Sequence, residues 1–218
     1  MIKSILLSTA FLVVTLVSCQ PNKKSIDKAV ENASKEIQTG NIVDKVDQLD
    51  QNIKAVTANF DWVISLDHHR MAKEEGVYTP PAVVTIFSDP QINSKLLNGR
   101  SQLIGLDLPF KMLTYSEADT IEAKLAYTSA NFIAKRQGLS PDELQVFSDK
   151  TGKVLADIDQ SVISETRLDS VGEGFGIVSI ESDFDFETTV KKLKDIVNAQ
   201  SDTRWFGEID YQAEAEEL

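Results

Sequence analysis

The sequence predicts an α+β fold, and three observations carry that reading. Residues Val46, Leu49, Ile53 and Val56 repeat at helical spacing, which marks one buried helix face. Short runs rich in β-branched and aromatic residues follow: Phe60 to Leu66, Ala82 to Phe87, Pro109 to Tyr115 and Glu122 to Thr128. Phe184 to Ala199 then returns to a strongly amphipathic helical pattern.

The 218 residues suit one large domain or two small ones, and a hydrophobic content of 42% is that of a globular chain. A net charge of −12, with a pI near 4.6, argues against nucleic acid as a partner, because phosphate binding needs clustered Lys and Arg. One cysteine leaves no intramolecular disulfide and no Cys-rich metal site.

Residues 1–19 read as an address. Lys3 supplies a positive start, Ile5 to Val17 an apolar run too short to span a bilayer, and polar sequence follows directly. Leu16-Val17-Ser18-Cys19 resembles a bacterial lipobox, so Cys19 is the expected lipidation site and the membrane the expected partner, through acyl chains. Gln20 after that cysteine resembles an outer-membrane sorting signal, and the expected location is the cell envelope, lipid-anchored at the outer membrane. Loss of Lys3 with the signal takes the net charge from −12 to −13.

Residues 20–41 read as a helical tether, with a narrow stripe at Ile26, Val30, Ala33 and Ile37 punctuated by Gly40 and Asn41. A helix over Ile42 to Val56, a strand over Phe60 to Leu66 and a short helix over His68 to Glu75, ended by Gly76, come next. Pro80 and Pro81 precede the strand at Ala82, and Ser88-Asp89-Pro90 ends it, since proline cannot continue a ladder. Gln91 to Asn98 and Asn131 to Gln137 read as helices, the second with Gly138 at its C′ position. Ser140-Pro141-Asp142-Glu143 has the form of a helix start, with Ser as N-cap and Pro at N1. Residues 140–173 read as a linker carrying helix, with Gly152 expected to interrupt it. The remainder, 174–218, reads as strand (Gly176 to Ile180), helix (Phe184 to Ala199) and strand (Arg204 to Tyr211).

Shifting this last segment back by 143 positions places Trp205 on Trp62, Asp210 on Asp67, Ala215 on Ala72 and Ile196 on Ile53, which points to a partial internal duplication. Asp67-His68, Thr79-Pro80-Pro81, Phe87-Ser88-Asp89-Pro90 and Gly105-Leu106-Asp107-Leu108-Pro109 together resemble the bacterial DUF302 family. Two segments depart from that pattern: Ser88-Asp89 stands for Gly-Asn, and Ile92 to Leu97 for Gly-Thr-Pro-Leu-Met. The resemblance covers 42–139, with 174–218 similar to the opening third of a second copy. It implies an antiparallel sheet packed by helices, in the order β-α-β4-α, and no settled activity. The first copy has no convincing first strand before Val43, whereas the second offers Gly176 to Ile180. Two accounts of the half copy stand: its strand–helix–strand docks onto the incomplete sheet and covers an exposed edge, or further sequence once completed it.

Asp67-His68-His69 is the cluster of metal-ligand or general-base type, and His68 is the candidate metal ligand, with Glu74 or Asp107 as further ligands. Against this, Asp67 can simply cap the next helix. Asp107, between Leu106 and Leu108, is a ligand-binding candidate or else an acceptor for backbone N–H groups in its turn. Gly172-Glu173-Gly174-Phe175-Gly176 precedes a strand rather than opening a helix, so it is no phosphate loop, and no catalytic serine motif, zinc-binding helix motif or P-loop occurs. The expected function is that of a non-enzymatic cell-envelope lipoprotein that binds a small ligand or protein partner, without a cofactor, an envelope protein or a second copy being candidate partners. The alternative is a metal-binding or hydrolytic protein that uses Asp67 and His68.

Overall fold

The computed structural model describes residues 23–98, 102–118, 121–164 and 167–218. Cys19 and the leader expected over residues 1–19 lie outside them. The chain divides into two units, 1–38 and 39–218. The described part of the first is the opening stretch of helix α1 (Lys23–Val56).

Gly40 was expected to break this helix, yet α1 runs through it. An isolated glycine costs a helix only about 1 kcal/mol, less than the loss of several backbone bonds on either side. From Ile42 onward the stripe Ile42, Val46, Leu49 and Ile53 is buried. Thr57 closes the helix: its hydroxyl and its N–H both donate to the Ile53 carbonyl, at 2.7 and 3.0 Å.

The sheet is antiparallel, with order β1-β2-β3-β4: β1 (Asp61–Asp67), β2 (Ala82–Ser88), β3 (Phe110–Tyr115) and β4 (Lys124–Tyr127). Its register sets Phe87 opposite Phe110, Thr85 opposite Met112 and Thr114 opposite Leu125. These residues share the face under α1 and are all buried, as the two-residue period of a strand requires. Phe110 stacks on Phe87 at 5.5 Å and on Phe147 at 4.5 Å, and Phe60 meets Phe87 edge-on. Ile64, Leu66, Val84, Ile86, Leu113 and Ala126 form the other face, each only half-buried. Ile163 forms a single parallel bridge to Leu125 beyond β4, and the Ser164 N–H donates to the Leu125 carbonyl at 2.7 Å. Among the described residues, β1 has no strand on its outer side.

Four further helices complete the layer. Helix α2 (His68–Glu74) starts at Asp67, and α3 (Pro90–Leu97) at Asp89, whose carboxylate accepts from the Ile92 N–H. Helix α4 (Ala130–Gln137) starts at Ser129 and ends at Gly138, whose φ of 65° is the left-handed C-terminal geometry that glycine supplies. Ser140, the expected N-cap, donates its N–H and its hydroxyl to the Glu143 carboxylate at 2.9 and 3.0 Å, on a 3-10 turn that leads into α5 (Gln145–Leu155). Helix α5 passes through Gly152 without interruption. Leu144, Phe147, Val154, Leu155 and Ile158 lie in the hydrophobic core, so the segment expected as a linker is part of the domain as far as Ile158.

The C-terminal expectations divide. Helix α6 (Phe186–Ala199) and a short α7 (Tyr211–Glu216) are present. Neither Gly176 to Ile180 nor Arg204 to Tyr211 is a strand, and neither docks on the sheet. Both runs have strand composition, but a strand exists only through its ladder, and here neither run has a partner. What docks is α7 against α3. Tyr211 donates its hydroxyl to the Gly105 carbonyl at 3.1 Å, and the Glu214 carboxylate accepts from Ser88 Oγ at 3.1 Å and Asn93 Nδ2 at 3.0 Å.

Candidate functional site

Asp67 sits where β1 turns into α2. Its φ and ψ of −93° and 94° are extended, and its carboxylate accepts from the Arg70 N–H at 2.8 Å as a helix N-cap. Arg70 turns back one helical turn to pair with the same carboxylate, and reaches across to Asp47 on α1 at 2.6 Å. Burial raises the Asp67 carboxyl pKa, but the N–H and guanidinium of Arg70 outweigh it and hold the group below its usual value. Hydrogen bonds from the guanidinium to Asp47 and Asp67 raise Arg70 in turn. A cavity of about 220 Å³ adjoins this cluster, with Asp50, Lys54 and Ser65 on its wall.

The two histidines separate. His68 is exposed at the first position of α2. His69 is buried, its Nδ1 is 2.6 Å from the Thr79 carbonyl, and its ring meets Tyr78 edge-on. The structure therefore does not gather Asp67, His68 and Asp107 into one site. Among the described residues, no group of three His, Cys, Asp or Glu side chains is placed to hold a metal ion.

Asp107 is 2% exposed, and its role differs from the expected turn contacts. One oxygen accepts from the Arg136 guanidinium at 2.7 Å and the other from the Gln137 amide, so the carboxylate clasps the last turn of α4. Lys111 bridges the Asp107-Leu108-Pro109 turn, donating to all three carbonyls at 2.9, 3.0 and 3.2 Å. Burial pushes the Lys111 ammonium down to about 8, with Asp107 opposing that shift and Arg136 adding to it. A fully paired carboxylate of this kind has a structural role: it ties the loop before β3 to α4.

An opening larger than the cavity beside Asp67 lies elsewhere. A cleft of about 600 Å³ runs between α1, the start of β4 and the turn after α5. Leu49, Ile158 and Val162 give it an apolar floor, while Lys45, Lys124, Glu122 and Asp157 supply both signs of charge at its rim. Lys45 donates to the Ile121 carbonyl at 2.9 Å, and Gln48 to Asn52 at 3.3 Å. Sequence reasoning did not find this cleft. Its walls come from three separated stretches, and Lys45 and Asn52 read locally as the solvent side of a helix.

A four-stranded antiparallel sheet under one helical layer, with its β3 loop clasped to α4, defines a compact α+β domain class. The chain belongs to the DUF302 family: the family described as "Domain of unknown function DUF302" matches residues 22–159. Among solved structures it is similar to the "uncharacterized conserved protein DUF302 from Bacillus stearothermophilus", at 19% identity and a TM-score of 0.42, over 52% of this chain and 88% of that one. No curated protein matches the chain.

Proposed function

We propose that this is a lipid-anchored protein of the cell envelope whose DUF302 domain binds a small ligand in the cleft between α1 and β4. The cleft is the observation that carries the reading. Its volume of about 600 Å³ is in the range of small-molecule sites, and an apolar floor with convergent polar groups is their usual composition. Opposite charges on its rim favour a zwitterionic molecule with an apolar body. The anchor rests on Leu16-Val17-Ser18-Cys19, and the outer membrane on Gln20. Among the described residues no helix is long and apolar enough to cross a membrane.

Residues 174–218 belong to this proposal as a partial second copy. Asp210 caps α7 with φ and ψ of −95° and 94°, close to the values at Asp67.

The test combines labelling and mass. Palmitate should label the wild-type chain in a bacterial host and fail to label Cys19→Ser; an unlabelled wild type removes the anchor. Native mass spectrometry of the unlipidated chain should show one small-molecule adduct per chain. Asn52→Trp, at an exposed position on the cleft wall, should abolish it. A bare mass, or an adduct indifferent to Asn52→Trp, removes the cleft reading.

A further inference from the structure

We infer that residues 177–180 of one chain add as a strand to the free outer edge of β1 in a second copy of the same chain, and that the exchange is reciprocal. The donor is unpaired. Val178 and Ile180 are 84% and 89% exposed, and no strand pairs with this run among the described residues. The Ile177 N–H is held by the Gly174 carbonyl at 3.0 Å; from Val178 onward, open N–H and C=O groups on a β-branched run are a template for pairing, and proteins normally blunt such edges.

The donor is also presented outward. On its N-terminal side, the Gly174 N–H donates to the Arg136 carbonyl at 2.8 Å and Arg136 Nε to the Phe175 carbonyl at 2.9 Å. On its C-terminal side, α7 is held to α3 through Tyr211 and Glu214. Between these two anchors the chain carries Val178, Ile180, Phe184, Phe186, Leu193 and Ile196, all exposed.

The acceptor is the outer edge of β1, which has no partner in its own sheet. Side chains fit in one phase. With Val178 and Ile180 beside Ile64 and Leu66, the half-buried apolar face of the sheet gains a fifth strand, and Ser179 falls beside Ser65. Each chain holds one donor and one acceptor, so two copies satisfy each other and close as a two-fold dimer. The area suffices. On a scale of roughly 150–250 Å² per aromatic side chain, the exposed parts of Phe184, Phe186 and the four aliphatic residues offer roughly 700 Å² per copy. A standard interface buries about 800 Å² per partner. This dimer does not depend on the ligand cleft.

Cross-linking in trans tests it. Two differently tagged full chains, both carrying Cys19→Ser so that introduced cysteines are the only thiols, are co-expressed in an oxidising compartment, one with Ser65→Cys and the other with Ser179→Cys. Both positions are exposed, so neither change disturbs the core. The expected result is a disulfide-linked species bearing both tags, in excess over either same-variant pair and lost when Val178→Asp and Ile180→Asp are added. The Cys19→Ser chain without introduced cysteines should sediment as a dimer, and with those two aspartates as a monomer. Absence of the mixed species, a monomer at every concentration, or an internal bridge in a single chain carrying both cysteines would overturn the exchange. Binding to phosphatidylglycerol vesicles through Val178 and Ile180 without the mixed species would overturn it too, in favour of a lipid surface.

Discussion

Asp107 and Arg136 form an ion pair with little solvent around it. Asp107 is buried, and its two oxygens are taken by Arg136 and Gln137. Breaking a buried pair from one side leaves an uncompensated charge, so Arg136→Met should destabilise the protein by about 3–5 kcal/mol in urea unfolding, far more than an exposed charge removal. Lys111 makes a separate prediction through pH. Its folded pKa of about 8 lies below the ordinary 10.5, so between those values the unfolded chain binds the proton and the folded chain does not. Stability contributed at this site therefore rises as pH goes from 8 to 10.5, by up to about 3 kcal/mol. Lys111→Met has no proton to lose, so wild type should gain on it across that window. A constant difference between the two would mean that the three carbonyls hold the ammonium charged.

At the scale of elements, the start of α2 shows what a sequence can state. Asp67 before His68 has the form of an N-cap, and it is one. Asp67→Ala should cost about 1 kcal/mol, whereas Asp67→Asn should keep most of the cap, because asparagine accepts the same N–H. The Arg70 ion pair makes the remaining difference. It holds the Asp67 pKa down, so its stability is present above pH 3.8 and is lost as pH falls through the lower folded value. Caps and turns were legible at Asp67, Gly138 and Ser140 because their partners lie within a few residues. Gly176 to Ile180 was misread for the opposite reason: its composition is that of a strand, but a strand is decided by a partner far along the chain. Asp67 caps α2 and Asp107 ties its loop to α4, and the cleft escaped notice because only the folded chain brings α1 and Ile158 together.

For the whole molecule, the two ends of the chain carry opposite expectations. Ile42 is the first buried residue among those described, and α1 supplies Leu49 and Ile53 to the core. The polar stretch before Thr39 has Val30 at 59% exposure and belongs to the other unit of the chain. A chain beginning at Thr39 should therefore melt within about 2–4 °C of the longer one, the shift expected for 1 kcal/mol in a domain of this size. Removing Tyr211 to Leu218 should do more. It deletes the hydroxyl bond to Gly105, lifts a half-buried aromatic from the core edge, and takes the Glu214 carboxylate from Ser88 and Asn93. At about 1 kcal/mol per neutral hydrogen bond, and somewhat more for bonds to a charged group, the loss is about 3 kcal/mol, or roughly 6–12 °C. Equal melting shifts from the two truncations, read by circular dichroism, would mean that α7 only rests on α3. A larger shift at the C-terminal end makes the final helix part of the domain, and fixes one of the two anchors between which Val178 and Ile180 are displayed.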